Sequence, residues 1–314
     1  MLDVTFYGVR GSTPCCDQRS VRYGGNTSCV LLQAPGQDPI ILDLGTGLRY
    51  FGDAFARTAV APFRGTALVT HLHWDHVQGL PFFHPLHTPG AHLDILGTGG
   101  ERKLSDAFGE FMTPPYFPIR VGDLSGNVSF RDVHDEQIQI GEALVTVRPV
   151  PHVGATNGYR VDWAGASVAY VSDHQQPKDD RTSVADSVLA LCDGADLLIH
   201  DAQFTEDEFA DRAHWGHCTI EYAFEVARQA KVRALVLFHH DPSHHDDFLD
   251  DVSADASRRS AQLGLGTVIT AYEGLQITLT PLSRAPISPV DLHGLCAQPH
   301  ARQTAIRLST GAGT

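Results

Sequence analysis

Lysine is nearly absent from this 314-residue chain: Lys103, Lys178 and Lys231 are all there are. Lysine and arginine together number 23 against 37 aspartates and glutamates, a formal net charge of −14. A general nucleic-acid coat protein needs a basic face, so that class is excluded, although a local basic pocket is not. No apolar run approaches the ~18 residues of a membrane-spanning helix, so no contact with a membrane is expected. The six cysteines (Cys15, Cys16, Cys29, Cys192, Cys218, Cys296) form no CxxC pair. Met1 runs straight into the strand-like LDVTFYGV, with no charged-then-apolar leader. These absences predict neither a signal peptide nor a disulfide framework, and a working place in the reducing cytoplasm.

What is present is an ordinary globular balance, 42% apolar and 19% charged, ample for a core. One number is abnormal: 18 histidines, which point first to metal binding. Short β-branched and aromatic runs bounded by Gly, Pro or Asp read as strands at 2–9, 29–34, 39–44, 66–70, 128–133, 144–150, 158–163, 167–172, 196–201, 234–239 and 267–272. Helices are expected at 183–193, opened by Ser183 with Asp186 three places on and closed at Gly194. Two more are expected at 219–230 and 254–263. Many strands with nearby helices predict a layered α/β body over residues 1–280. Residues 101–127, with PPYFPI, read as a long loop or small insertion, and 281–314 as a partly disordered tail.

The sharpest motif is Thr70-His71-Leu72-His73-Trp74-Asp75-His76, directly after the strand-like TALVT. His71 and His73 are two apart and point the same way in extended backbone. Asp75 and His76 follow as the chain turns, so the four groups can reach two adjacent cations. Two ions need more donors than that. Strand ends downstream offer them: His152 after LVTVRPV, Asp173 after SVAYVS, and the adjacent pair His239-His240 after ALVLF.

With these motifs the chain resembles the metallo-β-lactamase superfamily over roughly residues 1–280. The resemblance implies a fold of the α/β class in its α+β form, a four-layer αββα sandwich. It implies two divalent metal ions, zinc first, with manganese or iron also compatible with His/Asp ligation. His71, His73 and His152 would hold one ion, Asp75, His76 and His239 the other, and Asp173 would bridge them. Asp43 in LDLGTG would lie beneath the ligands and orient them, or it simply forms the turn before Gly45. His174, His244 and His245 read as surface or supporting residues.

Two stretches are similar to the RNase Z and cyclic-phosphodiesterase branch. One is Gly8-Val9-Arg10-Gly11-Ser12-Thr13-Pro14 with Tyr23-Gly24-Gly25-Asn26-Thr27-Ser28. Arg10, Ser12 and Asn26 are its candidate substrate contacts, because Gly-rich turns bring backbone N–H groups to phosphate oxygens; the glycines could equally serve tight turns. The other is His214-Trp215-Gly216-His217-Cys218-Thr219, similar to the His-x-Thr motif of RNase Z-like enzymes. There His217 would act as proton donor, paired with Asp201, where the branch more often carries Glu. The bland alternative for His217 is a helix cap or a solvated loop residue.

The resemblance thus implies a binuclear phosphodiesterase using a metal-bridging hydroxide aimed by Asp75. With so few cations, and with Arg102, Lys103 and Arg120 outnumbered by Glu101, Asp106, Glu110 and Asp123, a small cyclic nucleotide or other cyclic phosphodiester is expected rather than RNA. RNase Z-like RNA cleavage and glyoxalase II-like thioester hydrolysis are the alternatives. Homodimerisation is a further expectation from related proteins.

Overall fold

Alternation along extended backbone determines the layering. Leu2, Val4 and Phe6 face one way, as do Val30 and Leu32, while Cys29 and Leu31 face the other; all are buried. Strands buried on both faces must lie between layers. The computed structural model describes residues 1–281 and the backbone of two short strands at 288–290 and 305–309.

The first half contains β1 (Leu2–Gly8), β2 (Cys29–Gln33), β3 (Ile40–Leu42), α1 (Gly47–Thr58), β4 (Arg64–Leu68), α2 (Trp74–Val77), β5 (His92–Gly97), α3 (Leu104–Phe111), β6 (Asn127–Asp132), β7 (Gln137–Ile140) and β8 (Ala143–Pro149). The second contains β9 (Asn157–Trp163), β10 (Ala166–Val171), α4 (Asp186–Cys192), β11 (Leu197–Asp201), α5 (Glu206–Arg212), α6 (Ile220–Gln229), β12 (Ala234–Phe238), α7 (Asp246–Leu263), β13 (Thr267–Thr270), β14 (Gln276–Thr280), β15 (Ser288–Val290) and β16 (Ala305–Ser309).

Among the described residues these strands form two sheets, ordered β15-β16-β14-β1-β2-β3-β4-β5-β6 and β13-β12-β11-β10-β9-β8-β7. Val4, Phe6, Val30, Val161, Tyr170, Ile199, Val236 and Phe238 fill the space between the sheets. Outside the first sheet, Leu48 and Phe51 of α1 and Leu104 and Phe108 of α3 pack on Leu31, Ile41 and Ile95. Outside the second, Val188, Tyr222, Ala223 and Ala256 from α4, α6 and α7 pack on Leu198, Leu235 and Leu237. The result is the expected αββα sandwich. No helix among the described residues is long and apolar enough to cross a membrane.

All the expected strands are present with ends within two residues of expectation. The helices diverge more. The α1 helix was not foreseen, because Gly47 and Gly52 weaken it and Thr46 makes no side-chain cap; packing of Leu48 and Phe51 holds it instead. The α4 helix begins at Asp186 rather than Ser183, because the Asp180 carboxylate takes the Thr182 and Ser183 N–H groups into a turn. The α7 helix begins eight residues before the expected start, with Asp246 and Asp247 in its first turn suiting the positive end of the helix dipole. The 101–127 stretch carries α3, and β16 pairs in parallel with β14. The rest of the expected tail lies outside the described residues.

Phe6 and Phe238 are both fully buried between the sheets, ring centroids 6.1 Å apart. Phe6→Ala is expected to lower unfolding free energy by about 3–5 kcal/mol in urea titration. A loss below ~1 kcal/mol would remove Phe6 from the inter-sheet core.

Candidate metal centre

The parallel pairs β3–β4 and β10–β11–β12 each end in a loop, and the carboxyl ends of these strands meet at one end of the sandwich. Asp43 follows β3, His71 to His76 follow β4, His152 follows β8, Asp173 follows β10, Asp201 ends β11 and His239 follows β12. Residues more than 160 positions apart thereby come within hydrogen-bond distance.

Ligand atoms of His71, His73 and His152 lie within 4.8 Å of one another, as do those of Asp75, His76 and His239. Asp173 touches both groups. Its Oδ1 lies 3.8 Å from His71 Nε2, 3.8 Å from His152 Nε2 and 3.5 Å from His239 Nε2; its Oδ2 lies 3.2 Å from His76 Nε2. All seven sequence-selected ligands are therefore in one cluster. His240, the open alternative to His239, turns away: its Nε2 meets the Ala271 carbonyl at 3.0 Å. His239 has φ +59°, so the pair does not alternate as in a strand.

In four of the five ligand imidazoles, those of His71, His76, His152 and His239, the second nitrogen meets a named partner, which leaves the first facing the centre. His76 Nδ1 donates to Asp43 Oδ2 at 2.7 Å, His152 Nδ1 to the Gly216 carbonyl at 2.6 Å, and His239 Nδ1 to Gln203 Oε1 at 2.9 Å. His71 Nδ1 lies 3.0 Å from Thr70 Oγ1. Asp43 does lie beneath the ligands, fully buried, and also accepts from Tyr170 OH at 2.9 Å and the Thr70 N–H at 2.7 Å.

A pair of cations fits this arrangement on the chemistry of the side chains alone. His76 Nε2 and His239 Nε2 face each other at 3.2 Å. His71 Nε2, buried, takes part in no hydrogen bond. Burial drives the His71 imidazole well below its usual pKa, so it is in the neutral form that ligates. Burial also opposes charge on His76, yet Asp173, Asp75 and Asp43 outweigh it and raise its pKa well above normal. That crowding of carboxylates marks a place for positive charge.

Beside this cluster, Asp201 Oδ2 accepts from His217 Nδ1 at 3.0 Å and from the His174 N–H at 3.0 Å, while its Oδ1 accepts from the Gln203 N–H. The shorter Asp thus reaches its histidine. Burial lowers and Asp201 and Asp173 raise the His217 pKa, with a net rise. Nor is His217 a helix cap: Thr219 caps α6 through the Tyr222 N–H.

The N-terminal loop plays a different part from the one expected. Arg10 is fully buried, with Nε donating to the Gly24 carbonyl and Nη1 to those of His244 and Asp241. It ties two loops together and does not line the pocket that opens on the cluster. Asn26 likewise turns inward, its Nδ2 donating to Glu273 Oε2 at 2.9 Å. Residue type alone does not reveal which way a loop side chain faces. Gly25 serves close approach, since a Cβ there would lie 2.0 Å from the Cys15 carbonyl oxygen. Ser12 alone reaches the site: its N–H donates to Asp75 Oδ2 at 2.7 Å and its Oγ accepts from Gln203 Nε2. Of the bland histidines, His174 and His244 are buried rather than superficial, bonded to His200 and Glu208.

A pocket of about 620 Å³ opens on the cluster, lined by Ser12, Leu72, His73, Trp74, Asp75, Val153, Asp173, His214, Trp215 and His217. It contains no lysine or arginine. Gln203, Trp74 and Trp215 were not singled out from sequence, and the only available signal was their place one or two residues from Asp201, His73 and His217.

Comparison with known proteins agrees with this geometry. The chain is 28% identical over 284 residues to a ribonuclease Z of Natronomonas pharaonis, covering 76% of this chain and 86% of that one. Among solved structures it is similar to a diphosphatase of the PhnP family (21% identity, TM-score 0.62, covering 88% of this chain and 97% of the other). It is also similar to the short form of human tRNase Z (21% identity, TM-score 0.60, covering 88% and 98%). The profile of the family described as the beta-lactamase superfamily domain matches residues 42–240, and the chain is a member of that superfamily, a metal-dependent hydrolase.

Proposed function

We propose that this hydrolase is a binuclear phosphodiesterase acting on a small substrate, a cyclic nucleotide or another cyclic phosphodiester. His71, His73 and His152 would hold one divalent cation and Asp75, His76 and His239 the other, with Asp173 shared between them. A mostly imidazole donor set suits zinc, and manganese or iron would also be accepted. Such cations acidify water and polarise a phosphoryl oxygen.

The observation that carries the reading is the Asp201–His217 pair at 3.0 Å beside the seven-residue cluster. Phosphodiester hydrolysis expels an alkoxide, which needs a proton. With Nδ1 committed to Asp201, His217 presents Nε2 as donor to that oxygen. Ser12, through its N–H, fixes the Asp75 carboxylate. A ribonuclease and a diphosphatase among the relatives support cleavage at phosphorus over glyoxalase II-like thioester hydrolysis.

The absence of lysine and arginine from the pocket lining favours a small substrate over an RNA backbone. Similarity to ribonuclease Z over 76% of the chain favours RNA cleavage as the second reading. Gel shift and cleavage of a tRNA precursor at varied salt, run beside a screen of 2′,3′- and 3′,5′-cyclic nucleotides, separates the two. Turnover confined to the cyclic nucleotides is expected.

Asp173→Ala is expected to lower bound metal and turnover together, read by elemental analysis and hydrolysis of bis-p-nitrophenyl phosphate; full metal content in this variant would refute the shared-carboxylate role. His217→Ala should keep its metal. It should slow an alkyl phosphodiester by about 10²–10⁴-fold while sparing a p-nitrophenyl ester, whose leaving group needs no proton. Equal losses on both esters would rule out the proton-donor role.

A further inference from the structure

Two indoles stand exposed at the mouth of the metal pocket. Trp74 is 74% exposed and Trp215 53% exposed, and both line the same 620 Å³ space as His73, Asp75, Asp173 and His217. Tryptophan left largely in water costs hydrophobic free energy, so a solvent-facing pair at one pocket calls for an occupant. Both are held by the site itself. Trp74 lies between His73 and Asp75 at the start of α2, whose Asp75 and His76 are buried. The Trp215 N–H donates to the Arg212 carbonyl at 2.9 Å, and the Arg212 guanidinium sits 5.4 Å from the Trp215 ring centre. The next residue, Gly216, has φ +96° and gives its carbonyl to His152 Nδ1. Positions so braced pay little conformational entropy on binding.

We propose that Trp74 and Trp215 form a stacking site for a nucleobase, so that the substrate of the phosphodiesterase reading, on which this inference rests, is a nucleotide. The phosphodiester end of the pocket is polar and built from imidazoles and carboxylates. The mouth offers indole faces with Leu72 and Val153, and its lining holds no lysine or arginine, the Arg212 guanidinium lying over the Trp215 ring. A planar, uncharged, polarisable group beside a phosphodiester is a nucleobase. Stacking tolerates any base, so the pocket selects nucleotides as a class rather than one base. The volume is within the range of small-molecule sites.

The test uses the full, metal-loaded chain and equilibrium calorimetry with two probes, adenosine 5′-monophosphate and ribose 5-phosphate, which share the phosphate and sugar. Adenosine 5′-monophosphate is expected to bind roughly 5- to 150-fold more tightly. Trp74→Ala and Trp215→Ala should each shrink that ratio severalfold, while Trp74→Phe and Trp215→Phe largely retain it. Metal content, read in every variant, identifies any variant that damages the site; the Trp215 pair then decides, because that side chain is not adjacent in sequence to a ligand. Equal affinity for the two probes, or an unchanged ratio in Trp215→Ala, overturns the stacking site. Loss of bis-p-nitrophenyl phosphate hydrolysis with the ratio intact would overturn the phosphodiesterase reading alone. A short single-stranded RNA probe that binds far better than the mononucleotide would assign the same stacking faces to RNA and overturn the mononucleotide form.

Discussion

Imidazole nitrogens and carboxylate oxygens crowd together at the carboxyl ends of the strands, and much of the architecture serves to hold them there. Facing Nε2 atoms of His76 and His239 at 3.2 Å, with Asp75 and Asp173 at similar distance, are not a stable packing by themselves. Unpaired buried donors and acceptors cost free energy. A positive charge between them reverses the sign of the interaction. The sandwich supplies the rigidity that keeps the groups from relaxing apart: Asp43, Thr70 and Tyr170 form a buried polar knot directly beneath His71 and His76. Three residues at the site, Ser12, Asp43 and His239, are non-glycine residues with φ between +59° and +62°. Such backbone persists only where its surroundings over-determine it.

The hydrophobic and polar parts of the structure are coupled through particular strands. Tyr170 fills the inter-sheet core with its ring and bonds Asp43 with its hydroxyl. Phe238 packs on Phe6 and Tyr170, and the next residue is His239. Shifting β12 by one residue would move Phe238 out of the core and His239 away from Asp75 and Asp173. Register in the core is therefore register in the site.

Much of this was legible in the sequence, for a local reason. Histidines at 71, 73 and 76 with Asp75 form a compact signature after a strand, and His152, Asp173 and His239 sit where apolar runs stop. Strand-to-loop boundaries are readable from β-branched runs, and chemistry concentrates there. What stayed hidden depended on which way side chains face. Arg10 carries the charge a phosphate would want, yet it is buried against carbonyls, and charge does not encode orientation. Gln203, which orients His239 and reaches Ser12, has no intrinsic catalytic chemistry to draw notice. The α1 helix, with two glycines, is a helix because of what it packs against, which a single segment does not show.

The central claim is that two sets of side chains, remote in sequence, grip two cations with one carboxylate in common. Anomalous diffraction from crystals of the chain purified without chelator and soaked in zinc tests it most directly. Two peaks are expected, one in contact with His71, His73 and His152, the other with Asp75, His76 and His239, and Asp173 between them. No peak at either set, or a single ion bound elsewhere on the surface, would contradict it.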